Sequence, residues 1–239
     1  KAAARRQPEE PGIHLGMANS HQLLGDIASA EACLEKELIV SPDSAQAAVN
    51  LGWILEEQNR VPEALMQYRK ALYYNPNHPD LRWNHGLACL MLGDYARGWR
   101  DYEFRWKARN KQKPTLNSAE WKGDPLNNRS LLLHTEQGFG DTIMFLRFAQ
   151  QMGRANNRIS LQCQPQLKRL LSAQPGFEHV AANGENLPSH DLHAPLMSLP
   201  LLLNLTRENN LHSQAYLSPD EPEALPFGKV SSCAASESS

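Results

Sequence analysis

The sequence predicts an α + α/β protein: a solenoid of helical hairpins followed by one parallel α/β lobe. Two observations carry this reading. A period of 34 residues relates Gly25, Asn59 and Gly93, and likewise Pro42 and Pro76, Gly52 and Gly86, and Tyr68 and Tyr102. A fixed period of that length marks stacked helical pairs, which hold partners rather than perform chemistry. Beyond residue 130, short apolar runs alternate with segments of helical spacing, the pattern of a parallel sheet with crossover helices.

Bulk composition narrows the function classes. The chain has 239 residues, 41 % hydrophobic and 21 % charged, with a net charge of −2. That leaves room for one or two domains and provides no basic field for nucleic acid or an anionic membrane. The longest apolar run, residues 199–205, falls far short of the ~20 residues of a spanning helix, so no membrane span is expected. Cys33, Cys89, Cys163 and Cys233 are widely separated. That spacing excludes a zinc knuckle or a Cys-x-x-Cys redox motif and predicts free thiols in a reducing, cytoplasmic compartment.

The solenoid is expected over residues 1–106 as about three repeats. In repeat two, residues 45–78, the first helix carries Ala47, Ala48, Leu51, Gly52 and Trp53. A turn follows near Gln58, and the second helix starts at Pro62 and continues through Ala64, Tyr68 and Leu72 to Pro76. Pro suits a first helical position, and Pro76 ends the helix. Gly52 and Ala64 are placed on facing surfaces, where a larger side chain would wedge the hairpin open. Repeat three repeats the scheme with Leu81, Asn84, Gly86, Gly93, Gly98 and Tyr102. Repeat one is weaker and has Ala18 in place of Gly52. The stretch from Gly98 to Trp106 packs Trp99, Tyr102, Phe104 and Trp106 together, as expected of a capping helix that docks the arm on the next domain.

These residues resemble the tetratricopeptide repeat family. The resemblance implies a superhelix whose concave face, made by the first helix of each hairpin, holds a protein or peptide. It places Val49, Trp53, Glu56, Trp83, Leu87 and Leu90 on that face. Asn50 and Asn84 share one repeat position; in the arm of O-GlcNAc transferases, asparagines there clamp a peptide backbone, since an amide donates and accepts at once. The alternative is a polar residue serving local backbone. Repeat one has Gly16 there, leaving two rungs. The peptide-binding set is therefore Asn50, Trp53, Trp83, Asn84 and Leu87.

Residues 107–129 read as a polar linker, and residues 130–219 as the α/β lobe. Residues 130–135 and 158–163 are buried-strand patterns, 178–181 a weaker third, with helices over 142–152 and 166–173. Between the first strand and helix lies Glu136-Gln137-Gly138-Phe139-Gly140-Asp141. Glycines there let a ligand approach backbone at a helix amino end, although the string is neither the dinucleotide pattern nor a phosphate loop. Asp141 also suits an N-cap for a helix beginning at Thr142. His190, Asp191 and His193 cluster on one loop, with too few ligands in good geometry for a metal, so none is expected.

The ordered set Trp121 to Leu126, Leu131 to Thr142, Phe145, Arg147-Phe148, Cys163-Gln164-Pro165, Leu187-Pro188, Asp191 to Pro200 and Tyr216-Leu217 resembles bacterial glycosyltransferase-like domains that follow tetratricopeptide repeats. These are similar to heptosyltransferases. The resemblance implies a Rossmann-like lobe, the N-terminal half of a GT-B fold. It makes Gln137, Gly138 and Gly140 an acceptor loop and Asp141 the general base. No cofactor is implied beyond a nucleotide sugar as donor substrate in an intact parent protein. A donor-binding lobe is expected after residue 219, but residues 220–239 are low-complexity and expected to be disordered. The isolated chain is accordingly expected to be inactive in sugar transfer, and to self-associate through an exposed lobe face. Two functions stay open from sequence: a glycosyltransferase-like protein that keeps its partner-binding arm and acceptor lobe, or a non-catalytic interaction scaffold.

Overall fold

The computed structural model describes residues 10–136, 138–155, 157–206 and 216–217. Gln137 and the expected disordered tail, residues 220–239, lie outside the described residues. Paired helices come first: α1 (Ile13–Leu23) with α2 (Ile27–Val40), α3 (Ala45–Glu57) with α4 (Val61–Tyr74), and α5 (Pro79–Met91) with α6 (Tyr95–Tyr102). The 34-residue ruler has a backbone cause. Gly25, Asn59 and Gly93 sit in the tight turn of each hairpin with φ of 74°, 60° and 80°. This left-handed conformation suits glycine and, next best, asparagine. Asp26 and Asp94 then cap α2 and α6 through the backbone N–H of Ser29 and Arg97. Repeat two has Arg60 at that place, and it pairs instead with Glu63 and, across the repeats, with Glu31.

A second periodic device sets the gap between paired helices. A Cβ on Gly52 would lie 2.2 Å from the Tyr68 ring, and one on Gly86 would lie 2.8 Å from the backbone nitrogen of Tyr102. The helices touch because there is no side chain there. Repeat one fills the same space with Ala18 and Leu34, both fully buried. An added methyl is matched by a smaller partner, which explains why the glycine is missing from that repeat. The buried Glu37 of α2 closes the amino end of α1, accepting from Gly12 N (2.7 Å) and Leu15 N (3.1 Å), the charge that exposed helix donors favour.

A short helix, α7 (Arg105–Ala108), leads into the second half. Its strands are β1 (Ala119–Glu120), β2 (Leu131–His134), β3 (Ile159–Cys163), β4 (His179–Ala182) and β5 (Leu192–Pro195). They form a parallel sheet in the order β1-β5-β2-β3-β4. Helix α8 (Phe139–Arg154) joins β2 to β3, and α9 (Pro165–Ser172) joins β3 to β4. Both pack on the face that carries Leu131, Leu133, Ile159, Leu161 and Ala194. After β5, a 3-10 turn (Leu196–Ser198) and α10 (Leu199–Leu202) lead back to α6.

The sheet departs from the sequence expectation in two of its strands. Part of residues 107–129, expected as a linker, belongs to the sheet: β1 pairs with β5, and Trp121 and Leu126 are buried in the lobe core. Glu120 supplies the anchor. Burial opposes its charge, but hydrogen bonds from Lys113 and Lys122 hold its carboxyl down at about 2. Strand β5 also lies outside the sequence expectation, because Leu-His-Ala-Pro carries no apolar run and becomes a strand through its register with β2 and β1.

Arm and sheet share one core. Trp99 lies edge-on to Phe145 of α8 at 5.9 Å and edge-on to Tyr102 at 5.9 Å. Trp83, Leu87 and Leu90 of α5 pack against the same cluster.

Candidate functional site

Two places merit a functional reading: the face built by α1, α3 and α5, and the loop at the carboxyl end of β2. On the first, Asn50 of α3 stands in a row of carboxamides. Its Oδ1 accepts from Gln46 Nε2 at 2.7 Å, and its Nδ2 donates to Asn19 Oδ1 at 3.2 Å. Asn19 is a residue that sequence reasoning missed. It lies 31 residues from Asn50, off the ruler of 34, so alignment by period points to Gly16 instead. Trp53, one turn along α3 from Asn50, leaves 53 % of its surface exposed. Asn84 of α5 turns its amide inward, donating to the Asp80 carbonyl at 2.9 Å.

Repeat three is occupied differently. Trp83 is half-buried, with the Arg109 guanidinium 4.6 Å above its ring. Leu87 packs on the core shared with the sheet, and Leu90 reaches the place a Cβ on Gly98 would take. Glu56 accepts from the Tyr68 hydroxyl at 3.2 Å, and burial raises its carboxyl. Of the residues expected on this face, Trp53 and Asn50 present the open surface, while Trp83 and Leu87 are engaged by the junction.

The second place is built around a buried cation. Arg105 is 1 % exposed and Glu136, just after β2, has a side chain 3 % exposed. Arg105 Nε and Nη2 donate to the two Glu136 oxygens at 2.8 and 2.7 Å, Nη1 donates to Glu103 at 2.6 Å, and Nη2 also donates to Ser198 Oγ at 2.9 Å. The rings of Tyr102 and Trp106 flank the guanidinium. Burial pushes Glu136 up and Arg105 works against it. Burial likewise pulls Arg105 down, but the bonds and charge of Glu136 and Glu103 hold it above its ordinary value. We read the pair as charged, because the bidentate geometry satisfies both groups. This ion pair fills space between the ends of β2 and β5, where the strand order reverses and open α/β sheets commonly bind ligands. Nothing local in the sequence marks Arg105, one cation inside an aromatic-rich stretch whose partner Glu136 lies 31 residues away.

The neighbouring loop is open. Gly138 and Gly140 are exposed, and a Cβ on either would meet nothing within 4 Å. Asp141 does not cap a helix at Thr142. The helix begins at Phe139 with Gly138 as N-cap, and Asp141 lies in its first turn. Thr142 Oγ1 instead donates to the Gly138 carbonyl at 3.2 Å and lies 3.0 Å from Gln164 Oε1. Asp141 and Glu136 both act electrostatically on Tyr102, whose hydroxyl is pushed up to about 12, chiefly by burial.

His190, Asp191 and His193 have local structural partners. Asp191 accepts from Ser130 N and Oγ at 2.7 and 2.8 Å, joining the start of β5 to that of β2. His193 Nδ1 lies 2.9 Å from Ser118 Oγ, and His190 Nδ1 lies 2.8 Å from the Pro188 carbonyl. Among the described residues, no three His, Cys, Asp or Glu side chains meet in a group able to hold a metal. Nor is any described helix long and apolar enough to cross a membrane. His134 is 2 % exposed and lies 5.8 Å from the His193 ring; burial, with the His193 charge, lowers it to about 4. Cys33, Cys89 and Cys163 are buried free thiols.

Residues 15–72 match the family model described as a tetratricopeptide repeat. The match spans the first two helical hairpins, in a chain that joins a tetratricopeptide-repeat-like helical solenoid to a small parallel sheet. The chain is 26 % identical over 151 residues to protein FlbA of Caulobacter vibrioides, covering 61 % of this chain and 25 % of FlbA. That length exceeds the arm, so the likeness extends into the second half. It is 36 % identical over 63 residues to the peroxisomal targeting signal receptor of Candida albicans, covering 26 % of this chain and 11 % of the receptor. The chain thus spans about a quarter and about a tenth of these two relatives. Among solved structures, YrrB, a tetratricopeptide repeat protein with an unusual peptide-binding site, aligns at 18 % identity and a TM-score of 0.42, covering 46 % of this chain and 56 % of YrrB.

Proposed function

We propose that this chain is a non-catalytic protein-interaction scaffold whose concave first-helix face receives an extended peptide over repeats one and two. The observation that carries this is the carboxamide row of exposed Asn19 and Gln46 around the half-buried Asn50, beside the exposed Trp53 ring. Carboxamides can pair with the N–H and C=O of a peptide backbone without reading its sequence, and a tryptophan face supplies an anchor. The match of the arm to tetratricopeptide repeats and the printed name of one relative, a targeting signal receptor, agree with a peptide ligand. In this reading the α/β half is a rigid base, and Trp83 and Leu87 serve the junction. A phage-displayed random peptide library selected on the intact chain tests it. Clones are expected that bind the chain and lose binding to Trp53→Ala and to Asn50→Ala. Clones that bind both variants equally, or no clones, would refute the reading.

A glycosyltransferase-like parent activity is the second reading, favoured by the open Gly138 and Gly140 loop at the reversal of strand order. Asp141 would take the acceptor hydroxyl's proton as that oxygen attacks the anomeric carbon of a nucleotide sugar, while the anomeric C–O bond breaks and the nucleotide leaves with its electron pair. Calorimetric titration with nucleotide sugars separates the readings: micromolar binding favours the transferase, silence the scaffold.

A further inference from the structure

The opposite face of the arm, built by second helices, carries a groove that the peptide reading does not use. It has a volume of about 610 Å³ and lies between the carboxyl-terminal halves of α2 and α4. Leu38, Leu51 and Ala71 line it, together with Ile39, Tyr73 and Tyr74. Ile39 is 80 % exposed and Tyr73 83 %. Single apolar side chains at a surface are ordinary, but a contiguous group around a concavity marks an interaction site. The next second helix, α6, instead turns Trp99 and Tyr102 into the core shared with the sheet half.

We propose that this groove is the interface of a two-fold symmetric homodimer. A two-fold contact requires one patch to complement itself. This patch holds both parts of such a contact: a hole, and, at its edge, the projecting Ile39 and Tyr73 that fill the hole of the second copy. Its charges meet the same condition. Glu35 stands on the α2 wall and Lys70 on the α4 wall. A two-fold axis through the groove lays α2 of one copy on α4 of the other, so each Glu35 meets the other copy's Lys70, twice. Neither residue has an ion pair among the described residues, whereas Glu31 and Glu63 are both engaged by Arg60. A foreign protein would have to bring a matched acid and base on the two flanks of an apolar ridge; a second copy brings them by symmetry. The inference is independent of the peptide-binding reading, since it uses the other face of the arm. It also locates self-association on the arm rather than on the sheet half.

Sedimentation velocity of the intact chain over a concentration series tests the proposal. Mass should rise to two copies and stop. Ile39→Glu and Lys70→Glu should each weaken the dimer by about tenfold or more, through a buried charge and a like-charge contact respectively. Combining Glu35→Lys with Lys70→Glu should restore it. Phe139→Glu, at an exposed apolar position of the sheet half, should leave it unchanged. A second measurement needs no variant. Carbodiimide coupling of mixed isotope-labelled and unlabelled wild-type chains should yield a Glu35–Lys70 crosslink of mixed isotope composition. A single chain mass throughout, a mass growing beyond two, absence of the mixed crosslink, or a dimer lost in Phe139→Glu but kept in Ile39→Glu would each overturn the proposal.

Discussion

The arm and the sheet half keep their shape by different means. The arm repeats one local solution: a left-handed turn residue, a helix cap and a missing or small side chain where paired helices touch. Every contact of this kind lies within a few tens of residues. The sheet half rests on distant pairs. Ser130 with Asp191, Trp121 with His193 and Arg105 with both Glu136 and Ser198 join segments that sequence spacing does not relate. In the arm, then, a lesion can be compensated by a neighbouring side chain, as repeat one illustrates. In the sheet half and its junction a lesion leaves a buried group without a substitute.

The largest effect should come from the junction. Arg105→Met strands the buried Glu136 carboxylate and is expected to cost about 3–5 kcal/mol in urea unfolding. Adding Glu136→Leu should recover most of that loss; if the double variant is as unstable as the single one, the ion pair is not the reason. Next in size is Gly52→Ala, whose methyl would overlap the Tyr68 ring, at about 1–3 kcal/mol. Tyr68→Leu in the same chain should rescue it by reproducing the Ala18 and Leu34 pair, and a double variant whose losses simply add would contradict the shared-volume account.

A third effect is set by pH. His134 is held neutral, with its value lowered from 6.5 to about 4 by burial and the His193 charge. Between those values the unfolded chain binds a proton that the folded chain does not. Stability is therefore complete above the unfolded value and is lost as pH falls toward 4. Between pH 7 and pH 5 the loss should be about 2 kcal/mol. Denaturant midpoints at the two pH values measure it, and His134→Asn should flatten the difference. The smallest effect belongs to the open face: Trp53→Ala should change unfolding stability by only ~0.5 kcal/mol while abolishing capture of selected peptides. A large stability loss would mean that Trp53 belongs to the core.

Legibility from sequence followed the same division. The turns at Gly25, Asn59 and Gly93 and the close approach at Gly52 were readable, because each is a local steric demand repeated at a fixed interval. The strand at Leu131–His134 was readable because burial on both faces writes it as an apolar run, and the strand at Ile159–Cys163 because Ile159, Leu161 and Cys163 alternate with polar residues. The strands at Ala119–Glu120 and Leu192–Pro195 were not, since one is two residues long and the other mixes His and Pro. Pairing register, which sequence spacing does not encode, makes them strands. In the candidate site, Asn50 and Trp53 could be named from their repeat positions. Asn19 could not, because it reaches Asn50 from one turn away, and Arg105 could not, because its partner Glu136 is distant in sequence.

Hydrogen exchange of the intact chain, with and without a library-selected peptide, most directly tests whether partner recognition is confined to the arm's open repeats. Added protection should fall on Ile13–Leu23 and Ala45–Glu57 and leave the loop around Gly138 and Gly140 unchanged. Protection that appears at that loop, with those two helices unaffected, would contradict the account.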